Sequence, residues 1–200
     1  MMAEFVAINR AFLRAGVAYC NVKGFTLSPG YCPDPVLRSQ LDFDLIVDGE
    51  QLELCRATLE ERGYQRTEAS RNEWIFKADA SQVLHIDDHF KLRPHRIVEL
   101  HFSSSGDVPS RDERLDRLSW RTWEGESFPV LSPEDQFVEQ GLHLLSHLRS
   151  PSTRLAWLLE YKRFVSAHED DTDLWNKVHE AAQPHREAPV AIGLASLLAT

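Results

Sequence analysis

Apolar side chains recur at helical spacing near the start of the chain. Within residues 3–15 they form a stripe made of Phe5, Ile8, Phe12 and Leu13. This spacing predicts an amphipathic helix with one buried face. Gly16 is the type of residue that ends a helix, and the composition of residues 17–22 predicts a short strand after it. The chain therefore opens with a helix followed by a strand.

The alternation typical of a strand occupies residues 41–47. Two acids, Asp42 and Asp44, share one face with Ile46, because side chains alternate across a strand. The other face is apolar throughout and consists of Leu41, Phe43, Leu45 and Val47. Because Ile46 follows the acids on their own face, we expect a strand covered on both sides whose acidic end opens at a sheet edge or cleft.

Further elements follow from the same periodicities. Apolar positions within residues 52–59 predict a second helix, which Gly63 ends before a strand near Tyr64. Aromatic and β-branched content predicts three more strands, at residues 73–78, 82–87 and 96–102. Residues 103–127 are polar and predict one helix with a surface loop. Ser132-Pro133-Glu134-Asp135 is a strong helix start, and the rest of the chain is predicted to be helical.

Composition limits the class of protein. Two hundred residues, 42% of them hydrophobic, suit one compact domain, or one domain with a small helical annex. The formal net charge of −9 makes long nucleic acid an unattractive partner. Three cysteines without metal-binding spacing argue against a disulfide framework and a structural zinc site. With no leader-like or bilayer-length apolar segment, we expect a soluble cytoplasmic protein without a membrane partner.

The paired acids of the central strand carry the first indication of chemistry. Two ionised carboxylates as close as Asp42 and Asp44 repel each other, and a divalent cation between them or full solvation removes the conflict. Within residues 97–101, Glu99 and His101 share a strand face in the same way. An acid in the middle of such a strand is costly to bury unless it is paired or bound to metal. Glu99 is therefore a candidate third carboxylate.

The order of these motifs resembles a known family. From about residue 5 to 165 the chain is similar to the bacterial nucleotidyltransferases of the polymerase-β type that were long called uncharacterised. The resemblance rests on Lys23-Gly24, Arg38, Asp42-Phe43-Asp44, Val98-Glu99-Leu100-His101, Leu131-Ser132-Pro133-Glu134-Asp135 and His143. It implies an α+β fold in which a small mixed β-sheet is flanked by helices. We accordingly predict such a domain over residues 1–130, and a helical segment over residues 131–200 that packs on it and lines the cleft.

The resemblance also implies a reaction and a site. The acids Asp42, Asp44 and Glu99 would be catalytic and would bind two Mg²⁺ ions, with Mn²⁺ as an alternative. A nucleoside monophosphate would move from a nucleoside triphosphate to a hydroxyl of a small molecule or protein. The predicted contacts to the nucleotide are Lys23, Gly24 and Arg38. Two histidines, His101 and His143, are predicted to support the site from a second layer.

Other interpretations stay open at this stage. Phe25 follows Gly24 where the wider superfamily usually has serine, which favours a catalytically inactive nucleotide-binding or interaction module as the alternative. A metal-dependent phosphohydrolase would need extra histidines converging on Asp42 and Asp44. For His101, a structural role hydrogen-bonded within the sheet is an equal alternative.

Two histidine groups are given structural interpretations. His143 and His147 are four apart on a predicted helix, but two ligands are too few for zinc, so a structural or substrate-lining role is preferred. A second polar cluster is interpreted as a solvated hairpin end and consists of His85, Asp87, Asp88 and His89.

Overall fold

The computed structural model of the chain describes residues 2–34, 40, 42–78, 97–123, 125–148 and 154–199. The chain divides into two compact units. Unit 1 comprises Met1–Thr26 and Ser39–Val130, and unit 2 comprises Leu27–Arg38 and Leu131–Thr200. None of the described helices combines the length and apolar composition that a bilayer crossing requires.

Unit 1 is built on a mixed sheet. Its described strands are β1 (Tyr19–Val22), β2 (Asp42–Val47), β3 (Tyr64–Ala69), β4 (Glu73–Ala78), β5 (Ile97–His101), β6 (Ser103–Ser105), β7 (Val108–Ser110), β8 (Ser119–Trp123) and β9 (Glu126–Val130). Seven of them form one sheet in the order β3-β4-β5-β2-β1-β9-β8, and β6 pairs with β7 in a separate hairpin. The helices of this unit are α1 (Met2–Ala15) and α2 (Leu52–Glu60), with 3₁₀ turns at Gly24–Leu27, Gly49–Gln51 and Glu113–Asp116.

Strand β2 occupies the middle of the sheet. It runs antiparallel to β1 and parallel to β5, and β5 in turn runs antiparallel to β4. The β2–β5 register places Asp44 opposite Glu99 and Ile46 opposite His101. Paired residues on neighbouring strands point to the same face, so the sheet brings the predicted acids together.

One face of this sheet forms the core of unit 1. The side chains that face α1 and α2 are almost completely buried, with exposed fractions of 0–2% at Phe43, Leu45, Val47, Val98 and Leu100. They pack in one cluster with Phe5, Ile8 and Phe12 from α1 and with Leu52, Cys55 and Leu59 from α2. Because alternate residues point the other way, burial of this apolar set fixes the acids of β2 and β5 on the opposite face.

The end of β2 is fastened to the β6–β7 hairpin. Asp48 accepts a hydrogen bond from the Glu50 amide (3.0 Å) and pairs with Arg111 (2.8 Å). A Cβ at Gly49 would lie 2.6 Å from the backbone nitrogen and oxygen of Ser110, so only glycine permits this close approach. These contacts hold the strand that carries the acids.

Unit 2 is helical and has a core of its own. Its helices are α3 (Pro133–Leu148), α4 (Leu155–Ala167), α5 (Thr172–Ala182) and α6 (Ala188–Ala199). The rings of Tyr31 and Phe164 stack at 4.4 Å, and Phe137 stacks on Tyr161 at 4.7 Å. Gly141 of α3 allows close packing, since a Cβ there would lie 2.6 Å from the Tyr161 hydroxyl.

The predicted fold class is confirmed: a mixed sheet with helices precedes a helical segment. The prediction for residues 103–127 was wrong. Instead of one helix and a loop, this region contains β6, β7, a 3₁₀ turn, β8 and the first residues of β9. Strand β8 lies at a sheet edge, where its side chains stay partly or fully exposed. Its polar composition therefore did not indicate a strand. The strand predicted at 82–87, and the polar cluster within it and after it, lie outside the described residues.

Candidate active site

The two acids of β2 lie on the sheet face opposite the helices. Asp44 is buried, with 5% of its side chain exposed, whereas Asp42, at the start of the strand, is partly exposed. Both acids act electrostatically on Glu99 of the neighbouring strand. Three carboxylates therefore share one small region of the sheet.

His101 joins the carboxylates in a compact cluster. Its Nε2 lies 3.2 Å from Asp44 Oδ1 and 3.8 Å from Glu99 Oε2. One ligand atom from each of these three residues falls within 4.8 Å of the others. In the described part of the chain this is the group of acids and histidines that meets the distance requirement for one metal ion. We call Asp44, Glu99 and His101 the donor cluster.

Lys23 approaches the donor cluster from a tight turn after β1. Its Nζ lies 2.7 Å from Asp44 Oδ1, the oxygen that also faces His101. The Lys23 backbone is left-handed, with φ +56°, and Thr26 closes the turn through its amide (3.0 Å) and hydroxyl (2.6 Å) to the Lys23 carbonyl. A left-handed conformation is uncommon for a residue with a side chain, and such positions cluster at functional sites.

Gly24 continues this turn with φ +45°. The space beside it holds the Gln40 side chain, and a Cβ at position 24 would collide with the Gln40 amide. That amide also donates a hydrogen bond to the main-chain carbonyl of Asp42 (2.9 Å). Gln40 thus connects the glycine turn to the acidic strand, a role that no sequence pattern indicated.

Glu73 is a second residue that sequence reasoning missed. It lies opposite His101 in the β4–β5 register, and its Oε1 is 3.3 Å from His101 Nδ1. The imidazole is therefore held between two acids, Glu73 on one nitrogen and Asp44 on the other. The strand 73–78 was predicted, but the pairing of Glu73 with His101 depends on a register that local sequence does not encode.

Asp44 stays ionised in this environment. Burial by itself would raise the pKa of Asp44, but the hydrogen bond from His101 and the charge of Lys23 outweigh that effect and hold the pKa well below its usual range. Burial would likewise lower the pKa of His101, yet its hydrogen bond to Asp44 and the Asp44 charge raise it above the usual value. The two groups stabilise each other in their charged forms.

The pKa of Glu99 shifts in the opposite direction to that of Asp44. Burial, together with the neighbouring charges of Asp44 and Asp42, raises the pKa of Glu99 to about 7. A carboxylate in this position is poorly compensated by the protein alone. A bound cation would relieve the repulsion among the three acids.

The donor cluster fits a divalent metal ion. Ligands at about 2.1 Å from a cation lie about 3.0 Å apart when they are adjacent in octahedral geometry. The separations of 3.2 and 3.8 Å from His101 Nε2 to the two carboxylate oxygens need only small adjustments to reach that spacing. Two carboxylates and one imidazole are also common ligands of catalytic cations.

Of the remaining predicted site residues, Arg38 and His143, the structure describes only His143. Arg38 is outside the described residues, so its predicted phosphate contact stays a prediction. His143 belongs to α3 of unit 2, where its ring meets those of His147 (4.5 Å between centroids) and Trp157 (5.3 Å). These aromatic contacts lie within unit 2, and the predicted supporting role of His143 at the site stays a prediction.

Three solved structures with a similar fold belong to an antibiotic-resistance factor and to an antibiotic adenylyltransferase. The solution structure of the antibiotic-resistance factor ANT(2'')-Ia aligns with a TM-score of 0.60 and 13% identity, over 96% of this chain and 97% of that one. The crystal structure of ANT(2'')-Ia in complex with adenylyl-2''-tobramycin aligns with a TM-score of 0.58 and 11% identity, over 89% of this chain and 94% of that one. The crystal structure of the lincosamide antibiotic adenylyltransferase LnuA, lincomycin-bound, aligns with a TM-score of 0.53 and 16% identity, over 82% of this chain and 96% of that one. Identities this low establish likeness of fold alone.

Sequence comparisons give one match that covers nearly the whole chain. The model of a family described as uncharacterised nucleotidyltransferase matches residues 1–198. Among curated proteins, none matches the sequence.

Proposed function

The chain belongs to the uncharacterised nucleotidyltransferase family, and on that basis we propose that it transfers a nucleoside monophosphate from a nucleoside triphosphate to a hydroxyl of a small molecule. The observation that carries this proposal is the convergence of Asp44, Glu99 and His101 within 4.8 Å, with Lys23 on the same Asp44 oxygen. The small-molecule acceptor is supported by the structural neighbours, since one is lincomycin-bound and another is in complex with adenylyl-2''-tobramycin.

In this proposal the acids Asp42, Asp44 and Glu99 hold Mg²⁺. Divalent cations supply charge neutralisation on the triphosphate and activate an oxygen nucleophile. The protein contributes position: β2 and β5 are neighbouring strands of a rigid sheet, so the acids hold their spacing without reorganisation. The low pKa of Asp44 keeps this ligand ionised over the whole physiological pH range.

Lys23 is proposed to exchange partners during binding. In the structure it pairs with Asp44, and its charge balances the buried carboxylate. If Asp44 held a cation, the charge of that cation would balance the carboxylate, and the Lys23 ammonium group would be available to contact a phosphate oxygen of the nucleotide. The turn beside Gly24 places Lys23 next to the acids, which is where a metal-bound triphosphate would lie.

We place the reaction in a reducing compartment such as the cytoplasm. Cys20, Cys32 and Cys55 are buried thiols outside any disulfide, which suits a protein that does not depend on disulfides.

The proposed reaction is tested by following pyrophosphate release. The full chain is incubated with each of the four ribonucleoside triphosphates, Mg²⁺ or Mn²⁺, and a panel of hydroxyl-bearing small molecules, and products are analysed by mass spectrometry. We expect an acceptor whose mass increases by one nucleoside monophosphate unit, with one pyrophosphate released per adduct. Metal-dependent nucleotide binding without any adduct would instead support the inactive binding module.

That alternative has one structural observation in its favour. Phe25 follows Gly24 in place of serine, and the Gln40 amide fills the space beside Gly24. Because Gln40 is a flexible side chain, we expect it to move aside when a triphosphate binds.

Replacing Lys23 with alanine tests the partner exchange. We expect the Kd for the nucleoside triphosphate to rise about tenfold, because one charge-assisted contact is worth about 1.5 kcal/mol. Isothermal titration calorimetry in the presence of Mg²⁺ measures this change. Lys77→Ala, on the same face of the sheet but paired with Glu68 (3.4 Å), is the matched control and should bind like the wild type. An unchanged nucleotide Kd in Lys23→Ala would restrict Lys23 to balancing the charge of Asp44.

A further inference from the structure

The donor cluster contains a nitrogen ligand as well as carboxylates. His101 Nε2 faces the position that Asp44 Oδ1 and Glu99 Oε2 surround, at 3.2 and 3.8 Å from those oxygens. Its side chain is 27% exposed, so the ring lies at the edge of the site and still contacts the buried acid. The imidazole therefore supplies the third potential ligand atom of the donor cluster.

The other nitrogen of the ring is held from behind. Glu73 Oε1 lies 3.3 Å from His101 Nδ1, on the side away from Asp44. This arrangement, carboxylate to Nδ1 and Nε2 to the site, is the one by which proteins orient a metal-binding histidine. The antiparallel register of β4 and β5 builds it into the sheet, because Glu73 and His101 are direct partners.

The arrangement also fixes the tautomer that a metal ligand needs. A neutral imidazole has one N–H donor and one lone pair. When Nδ1–H donates to Glu73, the lone pair of Nε2 points at two carboxylate oxygens, an unfavourable contact unless a cation lies between them. A cation coordinated by Nε2 and by these oxygens would remove that unfavourable contact.

We infer that His101 is a direct ligand of the metal held by Asp44 and Glu99, that Glu73 is its positioning residue, and that the site consequently prefers Mn²⁺ to Mg²⁺. The inference rests on the proposed function in that both require a metal at this site. Mg²⁺ favours a shell of oxygen ligands, whereas imidazole binds transition metals better. A site with two carboxylates and one nitrogen is therefore expected to bind Mn²⁺ more tightly than Mg²⁺.

The experiment uses Mn²⁺ itself as the probe. The full chain is loaded with substoichiometric Mn²⁺, and electron spin echo envelope modulation reports whether a ¹⁴N nucleus is bound directly to the ion. We expect the modulation of one imidazole nitrogen in the wild type and its loss in His101→Asn. His143→Asn, which alters a histidine of unit 2, is the matched control and should keep the signal.

Affinities provide the second readout. The concentration of free Mn²⁺ is measured from its room-temperature electron paramagnetic resonance signal, which gives the Mn²⁺ Kd. The Mg²⁺ Kd is measured by competition with Mn²⁺. We expect the Mn²⁺ Kd to rise about 30-fold in His101→Asn while the Mg²⁺ Kd changes less than about threefold. Glu73→Gln should weaken Mn²⁺ about tenfold and retain the nitrogen signal, since it disturbs orientation without removing the ligand.

The outcomes separate the two proposals. Mn²⁺ binding that is lost in Asp44→Asn but shows no nitrogen modulation in the wild type would overturn the inference, would make His101 a counter-ion of Asp44, and would leave the proposed function intact. A wild-type protein that binds neither Mn²⁺ nor Mg²⁺ would overturn both. Absence of nitrogen modulation in the wild-type spectrum overturns the inference without any variant, so this outcome does not depend on how well His101→Asn folds.

Discussion

Asp44→Asn is expected to lower the rate of nucleotidyl transfer about 10³-fold and to remove the Mg²⁺ dependence of nucleotide binding. A loss of this size corresponds to about 4 kcal/mol of transition-state stabilisation. The reason is that Asp44 is the most buried of the three acids and the one that Lys23 and His101 both contact. An amide in its place cannot balance a divalent cation at the same strength.

The measurement combines two assays. Pyrophosphate release gives the transfer rate, and calorimetric titration of the nucleoside triphosphate with and without Mg²⁺ gives the coupling between metal and nucleotide. Asp44→Asn also removes the partner of Lys23 and His101, so near-ultraviolet circular dichroism must show that the variant is folded. Asp42→Asn is the companion variant: Asp42 is partly exposed, so its loss should spare the fold and still reduce transfer strongly.

Asp107→Asn is the matched control for both variants. Its side chain is fully exposed in the turn between β6 and β7, and we expect wild-type transfer and nucleotide binding. Full Mg²⁺-dependent activity in folded Asp42→Asn and Asp44→Asn proteins would contradict the proposed metal site.

Glu99→Gln is expected to separate stability from activity. We expect transfer to fall about 10²-fold, because a metal ligand is lost. In the absence of divalent cations, however, the free energy of unfolding at pH 8 should rise by about 2 kcal/mol, since the substitution removes a poorly compensated carboxylate. Residues arranged for function commonly carry such a stability cost.

The pH dependence of this effect has a definite sign. The pKa of Glu99 is raised from the ordinary 4.5 to about 7 in the folded protein. Between these values the folded chain holds a proton that the unfolded chain has released, so wild-type stability decreases as pH rises through this window. Glutamine does not titrate. The stability difference between Glu99→Gln and wild type should therefore be small below pH 4.5, grow up to about pH 7 and stay constant above it.

Urea unfolding in EDTA at pH 5 and pH 8 measures this difference. Glu68→Gln is the matched control, because that acid lies on β3 with 62% of its side chain exposed and pairs only at the surface with Lys77. It should change neither transfer nor the pH profile of unfolding. A Glu99→Gln protein less stable than wild type at pH 8 without metal would show that Glu99 is well compensated by the protein itself.

Local periodicity was sufficient for much of the fold. The helix at Met2–Ala15 and the strands at Asp42–Val47, Glu73–Ala78 and Ile97–His101 agree with the sequence prediction to within one or two residues at each end. Their apolar patterns are strong because each buries a face against the core. The edge strand Ser119–Trp123 was missed because each of its residues is partly or fully exposed, which leaves a weak hydrophobic pattern.

The candidate site was predictable in part for the same reason. Alternation alone placed Asp42 beside Asp44 and Glu99 beside His101 on single strand faces. Glu73 and Gln40 were not found, because each reaches the site through a contact with a residue distant in sequence. Glu73 contacts His101 across two strands, and Gln40 lies against the turn at Gly24. Neither residue type carries a motif that would have indicated it.

The amino-acid sequence by itself determined which elements form and which side chains share a face, because period and propensity are properties of neighbouring residues. Only the tertiary structure decided that Asp44 lies opposite Glu99, that Glu73 supports His101, and that a left-handed turn brings Lys23 to the buried carboxylate. Strand register follows from burial of the whole apolar face at once, and no single segment contains that information.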